Sequence, residues 1–265
     1  MKVFISADME GLATTSTWGD CDPANPAYQR HTQEMTDEVL AACEGAFRAG
    51  ATEIVVRDAH DNATNIDPLR LPPRVKLLRG WSGHPYQMVD GIDSTFDAAM
   101  FIGYHSPAGA SGNSLSHTIS TRQMYIKLNG RDASEFMLHS YVCALEGVPC
   151  VFLSGDKALC EMESGLHPKL VTLPVKEGSG GITQVYSPAE VHQAIRKQTE
   201  KALRQDLSGA VIPLPEHFTL EICYKDHAQA MKVSYYPGVK RISNTTVVFE
   251  TDSYFEVKQA LSWII

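Results

Sequence analysis

Several features that define large classes of protein are missing from this 265-residue chain. No apolar run approaches the ~18 residues of a membrane span. No cluster of Lys and Arg offers the basic surface with which nucleic-acid binders contact phosphates, and the net charge is −8. We therefore expect neither a membrane nor a nucleic acid as a partner. Internal repeats and low-complexity segments are also missing.

The six cysteines lack the C-x-x-C spacing of zinc ribbons and redox motifs. Several lie in apolar runs, as Cys143 and Cys150 do, which is typical of small buried residues in a reducing compartment. The chain begins directly with an apolar strand rather than with the basic and apolar segments of a signal peptide. These observations predict a cytoplasmic protein.

The order of apolar segments indicates an α/β fold. The opening strand at residues 2–7 precedes an amphipathic helix at 28–49, in which Met35, Val39, Cys43 and Phe47 are spaced four apart. A strand at 54–56 follows at once, which makes a parallel βαβ unit. Further strands at 75–78 and 98–103 predict a mainly parallel open sheet flanked by helices.

The pattern changes after residue 113. Alternating segments at 114–119 and 123–128 suggest strands, and Asn129-Gly130 marks a tight turn. A helix at 134–145 and a strand at 150–153 follow.

A polar helix is predicted from Ser187 to Leu207, with Pro188 at its first position and a capping-box spacing to Glu190. Pro213-Leu-Pro215 is a candidate boundary. We predict a catalytic domain at residues 1–210 and a smaller C-terminal α+β subdomain at 211–265, with strands at 219–223 and 245–249 and a closing helix from Ser253.

Three strands end on residues that bind metals. Asp8 and Glu10 follow the first strand, and His60 and His105 follow two later ones. In an open parallel sheet the carboxyl ends of the strands share one edge, where ligands bind. Carboxylates and imidazoles are also the oxygen and nitrogen ligands of catalytic zinc. The recurrence suggests a metal site.

Each of these residues has an ordinary alternative. An acid pair such as Asp8 and Glu10 often caps a turn, and phosphatases of the haloacid-dehalogenase type also use acids two apart after the first strand. His60 fits a solvated loop or a metal ligand, with Asp58 or Asp61 orienting its ring. His105 fits a buried packing residue or a ligand.

Two further residues are candidates for the same site. His117 lies on or near the strand at 114–119 and could be a ligand, a general base or a nucleophile. Glu135 opens a predicted helix, where an acid commonly complements the helix dipole.

Taken in order, five motifs closely resemble the zinc-dependent D-aminopeptidases of the bacterial dipeptide-transport operon type. They are Asp8-Met-Glu10-Gly11, Asp58-Ala-His60, Gly103-Tyr-His105, Ser116-His117 and Ser134-Glu135. The resemblance extends through most of the chain, including Val148–Asp156 and the helix start at Ser187. It implies two zinc ions bridged by Asp8, one completed by Glu10 and His60 and the other by His105 and Glu135.

The resemblance also implies that His117 is the nucleophile or general base and that the chain forms decameric rings. We accordingly expect a binuclear zinc aminopeptidase that removes N-terminal D-amino acids such as D-Ala from short peptides. Two alternatives stay open, a Mg²⁺-dependent haloacid-dehalogenase-like phosphatase and a metal-stabilised assembly protein without turnover. The loop at residues 12–28 matches no family pattern and leaves the substrate undetermined.

Overall fold

The computed structural model describes all 265 residues and contains two sheets. The main sheet has seven strands, of which only the last is antiparallel to its neighbour: β1 (Lys2–Ala7), β2 (Glu53–Asp58), β3 (Val75–Leu78), β4 (Ala98–Tyr104), β7 (Cys150–Asp156), β8 (Val171–Ser179) and β9 (Ile182–Val185). The second sheet is antiparallel: β5 (Gln123–Leu128), β6 (Arg131–Asp132), β10 (Phe218–Tyr224), β11 (Val239–Arg241) and β12 (Thr246–Thr251).

Seven α-helices accompany the sheets. They are α1 (Trp18–Cys21), α2 (Tyr28–Arg48), α3 (Glu135–Leu145), α4 (Lys157–Glu163), α5 (Pro188–Leu203), α6 (His227–Val233) and α7 (Tyr254–Ile264). None of them combines the length and apolar character needed to cross a membrane. The predicted mainly parallel α/β fold is confirmed.

The strand order of the main sheet is β3-β2-β1-β4-β7-β8-β9. The chain fills one side of β1 with β2 and β3, then crosses to the other side to add β4. The direction of winding therefore reverses between β1 and β4, and the carboxyl ends of these strands form a crevice of the kind in which α/β proteins bind ligands.

Alternating residues of the strands feed two cores on opposite faces of the main sheet. Val3 and Ile5 pack with the apolar faces of α2 and α5. Phe4 and Phe101 face the other way and pack with α3, α7 and the second sheet. The second sheet thus lies on one face of the first, and the segments that connect the two sheets lie beside the crevice.

Some predicted boundaries need correction. Residues 114–119 form no strand; an isolated bridge joins Thr118 to Ser120, and Ile119 has a φ of 63°, which interrupts an extended segment. The helix predicted to residue 207 ends at Leu203, because Asp206 accepts hydrogen bonds from the amide and hydroxyl of Ser208 in a turn. Its N-terminus has no side-chain cap, so the predicted capping box does not form.

The second sheet includes β5 and β6 as well as the C-terminal strands. The predicted subdomain at 211–265 therefore does not form this sheet alone, because residues 123–132 contribute two of its five strands. The predicted tight turn at Asn129-Gly130 joins these two strands, with φ angles of 50° and 79°.

Candidate metal centre

Two glycines bring the ends of β1 and β4 together. The amide of Gly11 donates to the carbonyl of Gly103 at 2.8 Å, and Gly103 has a φ of +71°. A Cβ atom at Gly103 would lie 2.3 Å from the carbonyl oxygen of Asp8, and one at Gly11 would lie 1.7 Å from that of Tyr104. Only glycine permits this approach, which places the residues after β4 beside the acids that follow β1.

The first half of the site combines the ends of β1 and β2. His60 Nδ1 lies 3.0 Å from Glu10 Oε2 and 3.4 Å from Asp8 Oδ1. All three side chains are almost fully buried. The parallel pairing of Ala7 with Asp58 sets this geometry, since it aligns the two strand ends.

The second half combines the end of β4 with segments that lead into and out of the second sheet. His105 Nε2 lies 3.5 Å from both Asp8 Oδ2 and Glu135 Oε2. His117 Nε2 is 3.6 Å from Glu135 Oε1, and its ring stacks on that of His105 with centroids 4.3 Å apart. The structure therefore brings all six predicted site residues together.

Three buried atoms that could ligate a metal, Asp8 Oδ2, Glu10 Oε2 and His105 Nε2, make ion-pair contacts within the cluster but no hydrogen bond of good geometry. Buried polar atoms without partners are rare, because each loses its solvation without compensation. These atoms converge from different strands, and groups of carboxylate and imidazole donors lie within 4.8 Å of one another. The donor set and the unsatisfied atoms fit divalent zinc.

The electrostatics also favour a cation. Burial raises the pKa of Asp8 to about 7, and the neighbouring Glu10 adds to the effect. Burial opposes ionisation of Glu10 and Glu135 as well, but His60 holds the pKa of Glu10 well below its usual range and His105 lowers that of Glu135 to about 2. Against the effect of burial, Glu135 and Asp8 raise the pKa of His105 to about 10. Protons on the imidazoles thus balance the carboxylates, and a bound metal would displace them.

Backbone carbonyls fix which nitrogen each histidine offers. The Nδ1 atom of His105 donates to the carbonyl of Ser106 at 3.0 Å, and that of His117 donates to Leu115 at 2.9 Å, so both present Nε2 to the site. His60 is reversed, with Nε2 3.5 Å from the carbonyl of Cys21 and Nδ1 facing the acids. Such contacts orient metal-binding imidazoles.

The prediction that Asp58 or Asp61 orients the ring of His60 is wrong. Asp58 instead accepts from the amides of Asn65 and Ile66 at 2.5 and 2.8 Å. Its carboxylate is therefore committed to shaping the loop after β2, and Asp61 stands in a left-handed turn with a φ of 46°.

Two buried lysines contact backbone and side chains next to the site, and the sequence did not indicate them. Lys176 Nζ donates to the carbonyls of Glu10 and Thr15, and thereby ties the end of β1 to the loop that follows it. Lys258 Nζ lies 3.1 Å from His139 Nε2, and His139 Nδ1 contacts the carbonyl of Glu135 at 2.6 Å. No local motif marks these lysines, since each belongs to a distant helix or strand.

A cavity of about 780 Å³ opens onto the metal centre. The loop at residues 12–28 borders it through Trp18, Cys21 and Asp22, and the Trp18 ring lies 5.3 Å from that of His117. His84 and Trp81 line the far side. Cys21 and His84 therefore both line the cavity at the site.

Asp156, the acid that ends β7, is not available to a metal. It is fully buried and accepts from Ser106 N and Oγ at 2.7 and 2.6 Å, from Asn113 Nδ2 at 3.1 Å and from Leu159 N at 2.9 Å. These four bonds show that it caps α4 and anchors the loop after His105.

Comparisons with known proteins agree with this geometry. A family model described as D-aminopeptidase matches residues 1–263. The chain is 30% identical over 263 residues to a D-aminopeptidase of Bacillus subtilis (strain 168), covering 98% of this chain and 95% of that protein. The structure superposes with a TM-score of 0.92 on the zinc-dependent D-aminopeptidase DppA from Bacillus subtilis, a self-compartmentalizing protease, at 30% identity and over 100% of this chain and 96% of that one. The resemblance drawn from the five motifs is confirmed, and the chain belongs to the D-aminopeptidase family of peptidases.

Proposed function

We propose that this protein is a binuclear zinc aminopeptidase that hydrolyses N-terminal D-amino acids, D-Ala or similar, from short peptides or amides. The observation that carries the proposal is the set of three buried ligand atoms without a hydrogen bond, on Asp8, Glu10 and His105, of which Asp8 and Glu10 line the cavity. Membership of the D-aminopeptidase family supplies the class of reaction and the preference for a D-residue.

Asp8 is the bridging ligand in this proposal. Its Oδ1 faces His60 at 3.4 Å and its Oδ2 faces His105 at 3.5 Å, so its two oxygens point to different halves of the site. Glu10 and His60 would complete one zinc site, and His105 and Glu135 the other. The chemistry that two zinc ions would supply there is polarisation of a scissile carbonyl and a lower pKa, toward ~7, for a bound water.

His117 is the proposed general base. Its Nδ1 is held by the Leu115 carbonyl, which leaves Nε2 facing Glu135 at the cavity wall with the ring 13% exposed. From this position Nε2 accepts a proton from the attacking water and returns it to the leaving amine. Stacking on the ring of His105 fixes the plane of the imidazole.

The cavity suits a substrate with a free amine. Its 22 lining residues include Asp22, Asp61 and Asp90 and no Lys or Arg. A protonated N-terminus is attracted to such a lining, whereas a free carboxylate finds no cation there. This charge pattern favours an aminopeptidase over a peptidase that recognises a C-terminus.

The activity test compares three chromogenic substrates on protein from which metal has been removed and then restored. We expect the zinc-loaded protein to cleave D-Ala-p-nitroanilide, with the L-isomer far slower and p-nitrophenyl phosphate untouched. Phosphatase activity with Mg²⁺ alone would support the haloacid-dehalogenase alternative. Zinc binding without turnover of any aminoacyl amide would support a non-catalytic assembly protein.

We further propose that the chain assembles into a homodecamer in the cytoplasm, with its active sites enclosed. Support comes from the self-compartmentalizing character of DppA and from exposed apolar side chains such as Trp263 and Tyr235, which are 76% and 78% exposed. The six free cysteines suit a reducing compartment. Light scattering should give ten times the 29.1 kDa mass of one chain, and a monomer would refute the assembly.

A further inference from the structure

We propose that the thiol of Cys21 is an additional metal ligand in the half of the site formed by Glu10 and His60. This inference rests on the proposed function only in requiring a metal ion at that half. It adds a sulfur donor to a set that otherwise contains only oxygen and nitrogen.

The geometry points to Cys21 in particular. Its Sγ, a carboxylate oxygen of Glu10 and a ring nitrogen of His60 all lie within 4.8 Å of one another. Cys21 is 7% exposed and lines the cavity, and it is the one cysteine of the six that stands in such a cluster. Glu10 Oε2 is buried, and its 3.0 Å contact with His60 Nδ1 is an ion pair without hydrogen-bond geometry, so this oxygen is a second sign of a missing ligand.

Contacts of helix α1 and its neighbours hold Cys21 in position. Cys21 ends the short helix α1, whose N-cap residue is Thr17; inside the helix, Asp20 Oδ2 accepts from the amides of Ser16 and Thr17 at 2.8 Å each. Asp20 Oδ1 also lies 3.3 Å from Nε2 of His31, which belongs to α2. The backbone carbonyl of Cys21 meets His60 Nε2 at 3.5 Å, so the residue contacts the ligand histidine directly.

The chemistry of zinc suits this donor set. Zinc accepts sulfur, nitrogen and oxygen ligands and prefers four in a tetrahedron. Binding breaks the S–H bond of Cys21, forms a zinc–sulfur bond and releases the proton to solvent, so no oxidant or reductant is needed.

The two halves of the site then differ in function. Asp8, Glu10, His60 and Cys21 supply four protein ligands and close the first half. His105 and Glu135 share Asp8 as the third ligand of the second half, which leaves a position open for water or substrate. Closed four-ligand sites are typical of structural zinc and open ones of catalytic zinc. A water held at the open position would lie in the half beside His117, the proposed base.

Cobalt substitution tests the sulfur ligand directly. Co²⁺ bound by a thiolate shows an intense near-ultraviolet charge-transfer band that oxygen and nitrogen ligands do not produce. We expect this band in the wild-type protein loaded with two Co²⁺ per chain, and we expect it to vanish in Cys21→Ser. Cys223→Ser is the matched control, because Cys223 lies on β10 outside the site and its replacement should leave the band intact.

Zinc retention gives a second readout. Cys21→Ser should lose one zinc per chain to a competing chelator at roughly tenfold lower chelator concentration or less, since even residues outside the ligand shell affect metal affinity by 10–100-fold. The other zinc should stay as in the wild type.

The outcomes separate this inference from the proposed function. Wild-type protein that binds two metals and cleaves D-Ala-p-nitroanilide but shows no thiolate band refutes the role of Cys21 alone. A band that persists in Cys21→Ser does the same. Protein that binds no metal refutes both.

Discussion

The two halves of the metal centre are built in different ways. Glu10 and His60 follow neighbouring strands of one sheet, so the register of β1 against β2 positions them. His105 follows β4, but Glu135 opens α3 and His117 lies in a loop before β5. The positions of Glu10 and His60 therefore depend on the main sheet, whereas the second half forms only where the second sheet and its loops pack onto the first. The proposed division into a metal held mainly for structure and a metal exposed to substrate matches this difference.

Replacing Asp8, the proposed shared ligand, should remove metal from both halves of the site. Asp8→Asn keeps the shape of the side chain but removes the charge that, in the proposed centre, both metals need. We expect zinc content to fall to near zero and the rate to fall by ~10⁴-fold or more, a loss compatible with the ~10⁶-fold or larger accelerations of enzymes. Metal analysis and the D-Ala-p-nitroanilide assay measure both effects. Retention of two zinc ions would show that Asp8 is not the bridge.

Removing the proposed base should affect only the second half. His117→Ala should reduce kcat by ~10²–10⁴-fold, the usual contribution of a positioned acid or base, with zinc content unchanged. Loss of one zinc as well would make His117 a ligand, which is possible because it stands within ligand distance of His105 and Glu135. His227→Ala is the control, since His227 is an exposed histidine of α6 outside the cavity.

A methyl group added at Gly103 should push the end of β4 away from the end of β1, and so move His105 away from Asp8. Gly103→Ala places a Cβ atom 2.3 Å from the Asp8 carbonyl oxygen in addition to straining a φ of +71°. We expect a lower melting temperature and loss of zinc from the His105 half. Gly80→Ala isolates the backbone term, because Gly80 has a φ of +74° with no atom within 4 Å of its Cβ position. The strain alone is worth about 1–3 kcal/mol, so an equal effect of both variants would contradict the steric account.

The smallest expected effect concerns acid stability beneath the second half. His167 is buried against Phe136, with ring centroids 5.8 Å apart, and neither ring nitrogen has a hydrogen-bond partner. Burial lowers its pKa from 6.5 to about 4, and Arg131 adds to the shift. Above pH 6.5 the imidazole of His167 is neutral in the folded and the unfolded protein, and its contribution to stability is fully present. As the pH falls from 6.5 toward 4, the unfolded protein takes up a proton that the buried ring refuses, and the free energy of unfolding decreases. The slope is about 1.4 kcal/mol per pH unit in that window.

Denaturant titrations at several pH values check this slope. His167→Gln should flatten the dependence between pH 6.5 and 4. The exposed His227 offers the control, as His227→Gln should leave the wild-type slope unchanged. A wild-type slope in His167→Gln would assign the acid sensitivity to other groups.

Much of the first half could be predicted because its determinants are local in sequence. Asp8, Glu10 and His60 directly follow apolar strands that the sequence makes recognisable. The carboxyl ends of such strands share one edge of a parallel sheet, so the position of these residues can be predicted. The identity of His105 followed from the same pattern. The second half was harder, since Glu135 reads as an ordinary acid at a helix start and His117 as part of a strand that the structure replaces with a loop.

Other features are not visible in the sequence because they depend on contacts between distant segments. Lys176 lies 166 residues from Glu10, whose carbonyl it binds, and Lys258 lies 119 residues from His139. Cys21 did carry a signal, since it stands between Asp20 and Asp22 in a polar loop rather than in an apolar run. Cys21 reaches Glu10 and His60 only because that loop packs against His60, and this contact is not visible in the sequence.

The most direct measurement of the central claim is an anomalous difference map at the zinc absorption edge from crystals of the zinc-loaded protein. The account predicts two peaks per chain that share Asp8, one beside Glu10, His60 and Cys21 and the other beside His105 and Glu135. A single peak, or peaks away from Asp8, would contradict a binuclear centre divided between these two halves.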